Sequence, residues 1–204
     1  MDFEFPSLYE KLTAQENLKF FASLYKKQRD INELLTSVGL RSDADKKVSD
    51  FSKGLKSRLN FIKALLHDPT LLFLDEPTSG LDPSNSRVMK DLILDEKNRG
   101  KTIILTTHNM FDATELCDRV AFIVDGKIRA LDTPHNLIMS KGASKIIYTY
   151  LENEKEYSAE IPMNQTSEDE QLLRLIRNNQ IRSIHSGEPT LNDIFVELTG
   201  RQLQ

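Results

Sequence analysis

The chain has 204 residues, 39% hydrophobic and 28% charged, which is the balance of a globular protein and enough for one large domain or one domain with a small appendage. Its formal charge of −4, from 27 basic and 31 acidic residues, gives no reason to expect nucleic acid as a partner. No apolar run approaches the roughly 20 residues needed to cross a bilayer, and Met1 leads into Asp2 and Glu4 rather than a basic and then apolar leader. The expectation is a protein that stays in the cytosol unless a partner holds it at a membrane. The single cysteine, Cys117, can form no intrachain disulfide and reads as a buried small hydrophobe beside Ala113, Leu116 and Val120. The four histidines are scattered without metal-ligand spacing.

In chain order, Thr13 with Glu16 forms a capping box ahead of Leu18, Phe21, Ala22 and Tyr25 at helical spacing. Asp30 with Glu33 repeats the device before a helix that Gly39 ends. Ser52 caps a third helix with a stripe of Leu55, Leu59, Ile62 and Leu66, and Asp68-Pro69 stops it. The continuous apolar run of residues 71–74, closed by Asp75, predicts a strand covered on both faces. A helix follows from Pro83 to a stop near Gly100. Residues 102–106 predict a second buried strand, and residues 110–117 a helix. Two strands, 120–124 and 127–131, flank the hairpin signal Asp125-Gly126. Strands and helices alternating in this way predict an α/β domain with a mainly parallel sheet. After Gly142 the composition shifts. Strands at 145–151, 157–161 and 181–184, with helices at 168–178 and 190–198, predict a small α+β appendage over residues 143–204 and a boundary near 140–145.

The chemistry concentrates at Asp75 and Glu76, two carboxylates at the carboxyl end of a buried strand. That is the edge where open α/β sheets bind ligands. Asp75 suits Mg²⁺, which takes few carboxylates together with phosphate oxygens. Glu76 is placed to polarise a water beside a terminal phosphate. Alone, the pair could equally open a solvated loop after a core strand. His108, between a strand and a helix, could be an ordinary flanking residue, and Asp82 a plain helix N-cap.

Taken together, residues 51–83 closely resemble the core of an ABC-transporter ATPase. Phe51-Ser52-Lys53-Gly54-Leu55 stands where that family carries its signature, usually L-S-G-G-Q, with Lys53 in place of a glycine and Leu55 in place of the glutamine. Residues 71–76 look like its Walker B strand, Ser79-Gly80-Leu81-Asp82 like its D-loop, and Thr106-Thr107-His108 like its switch-histidine segment. The resemblance implies an ATP-hydrolysing subunit with a P-loop NTPase-like ATPase domain over residues 1–142, its helical subdomain at about 8–67 and an accessory domain at 143–204. It implies Glu76 and His108 as catalytic residues, and Ser52, Lys53, Gly54 and Asp82 as contacts to nucleotide or to the dimer partner. It also implies Asp75 as an Mg²⁺ ligand. Counting back from Leu12-Thr13, the Q-loop glutamine of the family falls at Glu4, a second metal-ligand candidate. ATP and Mg²⁺ are the implied cofactors. A transmembrane permease and a second nucleotide-binding subunit are the implied partners, at the cytoplasmic face of the membrane. The serine–glycine helix start favours phosphate through its free N–H groups and dipole, and in the family that phosphate belongs to ATP on the opposite subunit.

Residues 184–195 and Leu198-Thr199-Gly200-Arg201 resemble the tail of export-type subunits, which favours export over import. No G-x-x-x-x-G-K-S/T stretch is present. The chain is therefore expected to start inside the domain and to expose strand edges and apolar faces. A non-catalytic subunit that lends only Ser52 and Gly54 to a partner's ATP is the alternative. A soluble family member acting in translation or DNA repair is disfavoured by the exporter-like tail.

Overall fold

The computed structural model describes residues 8–140, 145–152 and 155–200. By contacts the chain divides into two compact units, residues 1–112 and 113–204. This divide falls earlier in the chain than the shift in composition near residue 142.

The first unit opens with α1 (Ala14–Ala22) and α2 (Ile31–Ser37). The Thr13/Glu16 capping box is present in full. Asp30 caps α2 by accepting from the Glu33 backbone N–H, and Gly39 takes the left-handed φ of +71° that ends it. Buried Asn17 fixes the entry to α1, accepting from the Tyr9 N–H at 2.8 Å and donating to the Tyr9 and Thr13 carbonyls at 3.0 Å each. The backbone of residues 10–15 bonds to that of residues 44–49, through Gln15 N–H to Ala44 O and Val48 N–H to Leu12 O among others. Helix α3 (Lys53–Leu65) then brings Leu59, Ile62 and Leu65 into a core with Leu18, Leu34 and Leu35, all at most 2% exposed. Leu55 is only half-buried.

The remainder of this unit is β1 (Leu71–Asp75), α4 (Pro83–Asn98), β2 (Thr102–Thr106) and the first residues of α5 (Met110–Leu116). β1 and β2 pair in parallel, with Leu71 opposite Thr102 and Asp75 opposite Thr106. At its far end an ionic cluster ties the parts together. Asp68 accepts from Lys101 at 2.8 Å and Lys27 at 3.0 Å, and buried Glu96 accepts from Arg29 at 2.9 Å.

The strands differ from expectation in one respect. Leu72 and Leu74 are buried, but Leu71 is 42% exposed, Phe73 61% and Ile104 46%. Among the described residues β1 is thus covered on one face only, and β2 is nowhere fully buried. A continuous apolar run identifies a strand without saying whether both its faces find a cover.

The second unit opens with the hairpin of β3 (Val120–Val124) and β4 (Lys127–Asp132). Asp125 and Gly126 turn it with φ values of 50° and 72°, the pattern of a type I′ turn. Phe122 of β3 meets Phe195 of α8 (Leu191–Thr199) edge to face at 5.6 Å, and α6 (Pro134–Met139) packs on α8 and β4. The antiparallel sheet β6-β5-β7 (Lys155–Pro162, Lys145–Glu152, Ile181–Gly187) carries α7 (Glu170–Arg177) on a core of Tyr148, Tyr150, Ile161, Leu172 and Leu175. Cys117 is half-buried rather than buried. No helix of the described residues is long and apolar enough to cross a membrane.

Candidate functional site

β1 delivers Asp75 and Glu76 to its carboxyl end, where the chain leaves the extended conformation. Glu76 sits at φ +46°, a left-handed value uncommon for a residue with a side chain, while its N–H bonds back to Thr106 O at 3.0 Å. The turn breaks the strand's alternation and lets the carboxylate reach the segment after β2. Glu76 Oε1 accepts the His108 backbone N–H at 2.9 Å and meets its ring Nδ1 at 2.7 Å. Thr107 Oγ1 lies 3.5 Å from Glu76 Oε2 and accepts the Asn109 N–H at 3.0 Å. Asp75 accepts from the Thr106 hydroxyl. A carboxylate and an imidazole, joined at the tip of a parallel strand pair, can together hold a water and manage its proton. Among the described residues no cluster of three metal-ligating side chains forms. A lone Asp75 is compatible with Mg²⁺, which takes one or two carboxylates and completes its shell with water and phosphate oxygens.

A second set gathers at the start of α3. Ser52 caps it, accepting the Leu55 N–H at 3.3 Å. Lys53 follows with its side chain across Gly80, whose φ of +63° suits glycine. Lys53 and Glu76 line one cleft, with Ser57, Asn60, Phe61, Pro77, Ser79 and Met89. Asp82 caps α4, with Oδ1 accepting the N–H groups of Ser84 and Asn85 at 3.1 Å each. The side-chain hydrogen bond from Asn85 is the main cause holding the Asp82 carboxyl below its ordinary value, with backbone donors adding to it.

The structure joins Glu76 directly to His108, and Asp82 to the Ser52–Gly54 region through Asn85. Glu4 lies outside the described residues. Sequence reasoning passed over four contributors: Thr78, Asp112, Arg58 and Asn85. Thr78 donates to buried Asp112 at 2.5 Å, pinning the loop after Glu76 to the helix after His108, and Lys90 lies 3.3 Å from the same carboxylate. No local spacing announces the Thr78–Asp112 pair, whose members lie 34 residues apart along the chain.

The chain is similar in sequence and fold to known proteins. Residues 1–79 match the sequence model of the family described as ABC transporter. The "Fluoroquinolones export ATP-binding protein" of Mycobacterium tuberculosis is 50% identical over 205 residues, spanning 100% of this chain and 68% of that protein. The "Nod factor export ATP-binding protein I" of Rhizobium meliloti is 35% identical over 219 residues, spanning 98% and 65%. A solved structure titled "Structure of ATP binding subunit of ABC transporter" superposes with a TM-score of 0.59 at 30% identity, over 68% of this chain and 60% of that one. Identity at this level along the whole chain, on a fold that sets a glutamate–histidine pair at a strand tip, places the chain in the family of ABC-transporter ATP-binding subunits.

Proposed function

We propose that the chain is an ATP-hydrolysing subunit of an ABC exporter, working at the cytoplasmic face of a membrane with a permease and a second ATP-binding subunit. The observation that carries this reading is the contact of Glu76 Oε1 with both the backbone N–H and the ring of His108. Glu76 is the general base toward an attacking water. His108 orients that carboxylate and faces the terminal phosphate. Asp75 holds Mg²⁺, which supplies charge neutralisation on the phosphates, and Glu4 is a second candidate ligand. Ser52, Lys53, Gly54 and Asp82 serve the nucleotide at the junction with the second subunit. Residues 1–142 form the ATPase domain and residues 143–204 the accessory domain. Export, rather than import, is supported by the names of the relatives.

Phosphate release from ATP and Mg²⁺, measured on the chain reconstituted with its permease and second subunit, tests the reading. Glu76→Gln is expected to suppress turnover. Unchanged turnover in Glu76→Gln, together with loss in Ser52→Arg, would replace this reading with a subunit that lends only the start of α3 to its partner's nucleotide.

A further inference from the structure

Asn85 occupies the third position of α4 and touches its own N-cap, Asp82, together with Gly54 and Arg58 of α3. Its Nδ2 donates to Asp82 Oδ2 at 2.5 Å, and its Oδ1 accepts from an Arg58 guanidinium nitrogen at 2.5 Å. Its amide also lies flat against Gly54. A methyl group built at Gly54 would sit 2.5 Å from Asn85 Cγ, 2.6 Å from Oδ1 and 2.7 Å from Nδ2. Such separations are far inside van der Waals contact, so position 54 must be glycine for the amide to stay where it is.

The chemistry of the three groups selects the side chain between them. A guanidinium only donates hydrogen bonds and an ionised carboxylate only accepts them. A primary amide presents one acceptor and two donors in a plane, so it satisfies both at once and polarises along the line from cation to anion. Arg58 Nε is buried without a hydrogen-bond partner among the described residues, which leaves the bond to Asn85 a large share of what holds the guanidinium.

We propose that Asn85 is a positioning residue that locks Asp82 to the start of α3 through Arg58 and Gly54, so that the loop before α4 and the serine–glycine start of α3 move as one body. The inference rests on the reading of Ser52, Gly54 and Asp82 as the residues that meet nucleotide. It makes the charge on Asp82 perceptible at Gly54, a residue with which Asp82 shares no direct bond among the described contacts. The depressed Asp82 carboxyl, owed first to Asn85, agrees with this.

The test needs no nucleotide, so it stands apart from the ATP-turnover assay that decides the functional reading. In the full chain, the Asp82 side-chain carboxyl and the Gly54 and Ser84 backbone amides are followed by NMR through an acid titration, with Asp82→Asn identifying the step due to Asp82. In the wild type the Gly54 amide is expected to shift with the Asp82 midpoint. In Asn85→Ala the Asp82 midpoint rises toward the ordinary carboxylate value and the Gly54 response disappears, while Ser84, bonded directly to Asp82, still responds. In Asn85→Leu, which keeps the bulk but can neither donate nor accept, the Asp82 midpoint likewise rises and the Gly54 response is lost. If Asn85→Ala does not fold, Asn85→Leu is read alone. A Gly54 amide that still follows Asp82 in either variant, or that never follows it in the wild type, overturns the proposal.

Discussion

Thr78 and Asp112, 34 residues apart, meet through a buried hydrogen bond of 2.5 Å. Thr78 stands two residues after Glu76 and Asp112 four residues after His108. The bond is therefore a second pin beside the glutamate–histidine contact. Asp112→Ala removes the acceptor of Thr78 and a buried charge beside Lys90. It is expected to cost roughly 3 kcal/mol, against about 1 kcal/mol for Thr78→Val. Urea denaturation followed by circular dichroism measures both, and equal costs would show that the charge of Asp112 contributes nothing beyond the single bond.

Glu76→Gln and His108→Ala are each expected to lower ATP turnover in the reconstituted transporter by on the order of 10²- to 10⁴-fold, the usual share of positioned acid–base groups. The double variant should lose little more than either single one, because the two side chains act as a unit through one contact. Multiplicative losses in steady-state phosphate release would contradict that coupling.

Acid should destabilise the second unit as well as the first. Asp68 is depressed first by the Lys101 hydrogen bond, Asp132 by the Asn136 side chain, and Asp193 by the Thr190 N–H. A carboxyl whose folded value lies below its unfolded value near 4 adds stability above that pH and loses it as pH falls through the depressed value. Thermal midpoints should hold steady from pH 7 to about 5 and drop below about 4. Asp68→Asn should flatten part of the drop, and a curve identical to the wild type would exclude Asp68 as a contributor.

The exposed side of β1 and β2 should make the isolated chain self-associate. Phe73→Thr combined with Ile104→Thr removes exposed apolar area while keeping strand-compatible side chains. Dynamic light scattering should show smaller particles at equal concentration, with stability changed by roughly 0.5 kcal/mol or less per site. Unaltered particle size would place the sticky surface elsewhere.

Local signals in the sequence were enough to find most elements. The caps at Thr13, Ser52 and Asp82, the stop at Asp68-Pro69 and the turn at Asp125-Gly126 all act within a few residues, and all stand where the pattern puts them. The pairing of Glu76 with His108 was foreseeable only because the family resemblance joined two distant segments. Exposed apolar faces were expected, but which residues of β1 carry them was not legible, since Phe73 and Leu74 are both large and apolar and differ only in the face of the strand they take. Nor were Asn85 and Asp112, ordinary polar residues in helices whose partners lie 27 and 34 residues away along the chain.

The backbone at Glu76 carries a cost that most side chains would rather avoid. Glycine or asparagine would rest more comfortably there, so a campaign that selects variants for heat tolerance alone would drift toward them and discard the carboxylate. A stabilised library of this protein should be sorted by phosphate release before it is sorted by melting point.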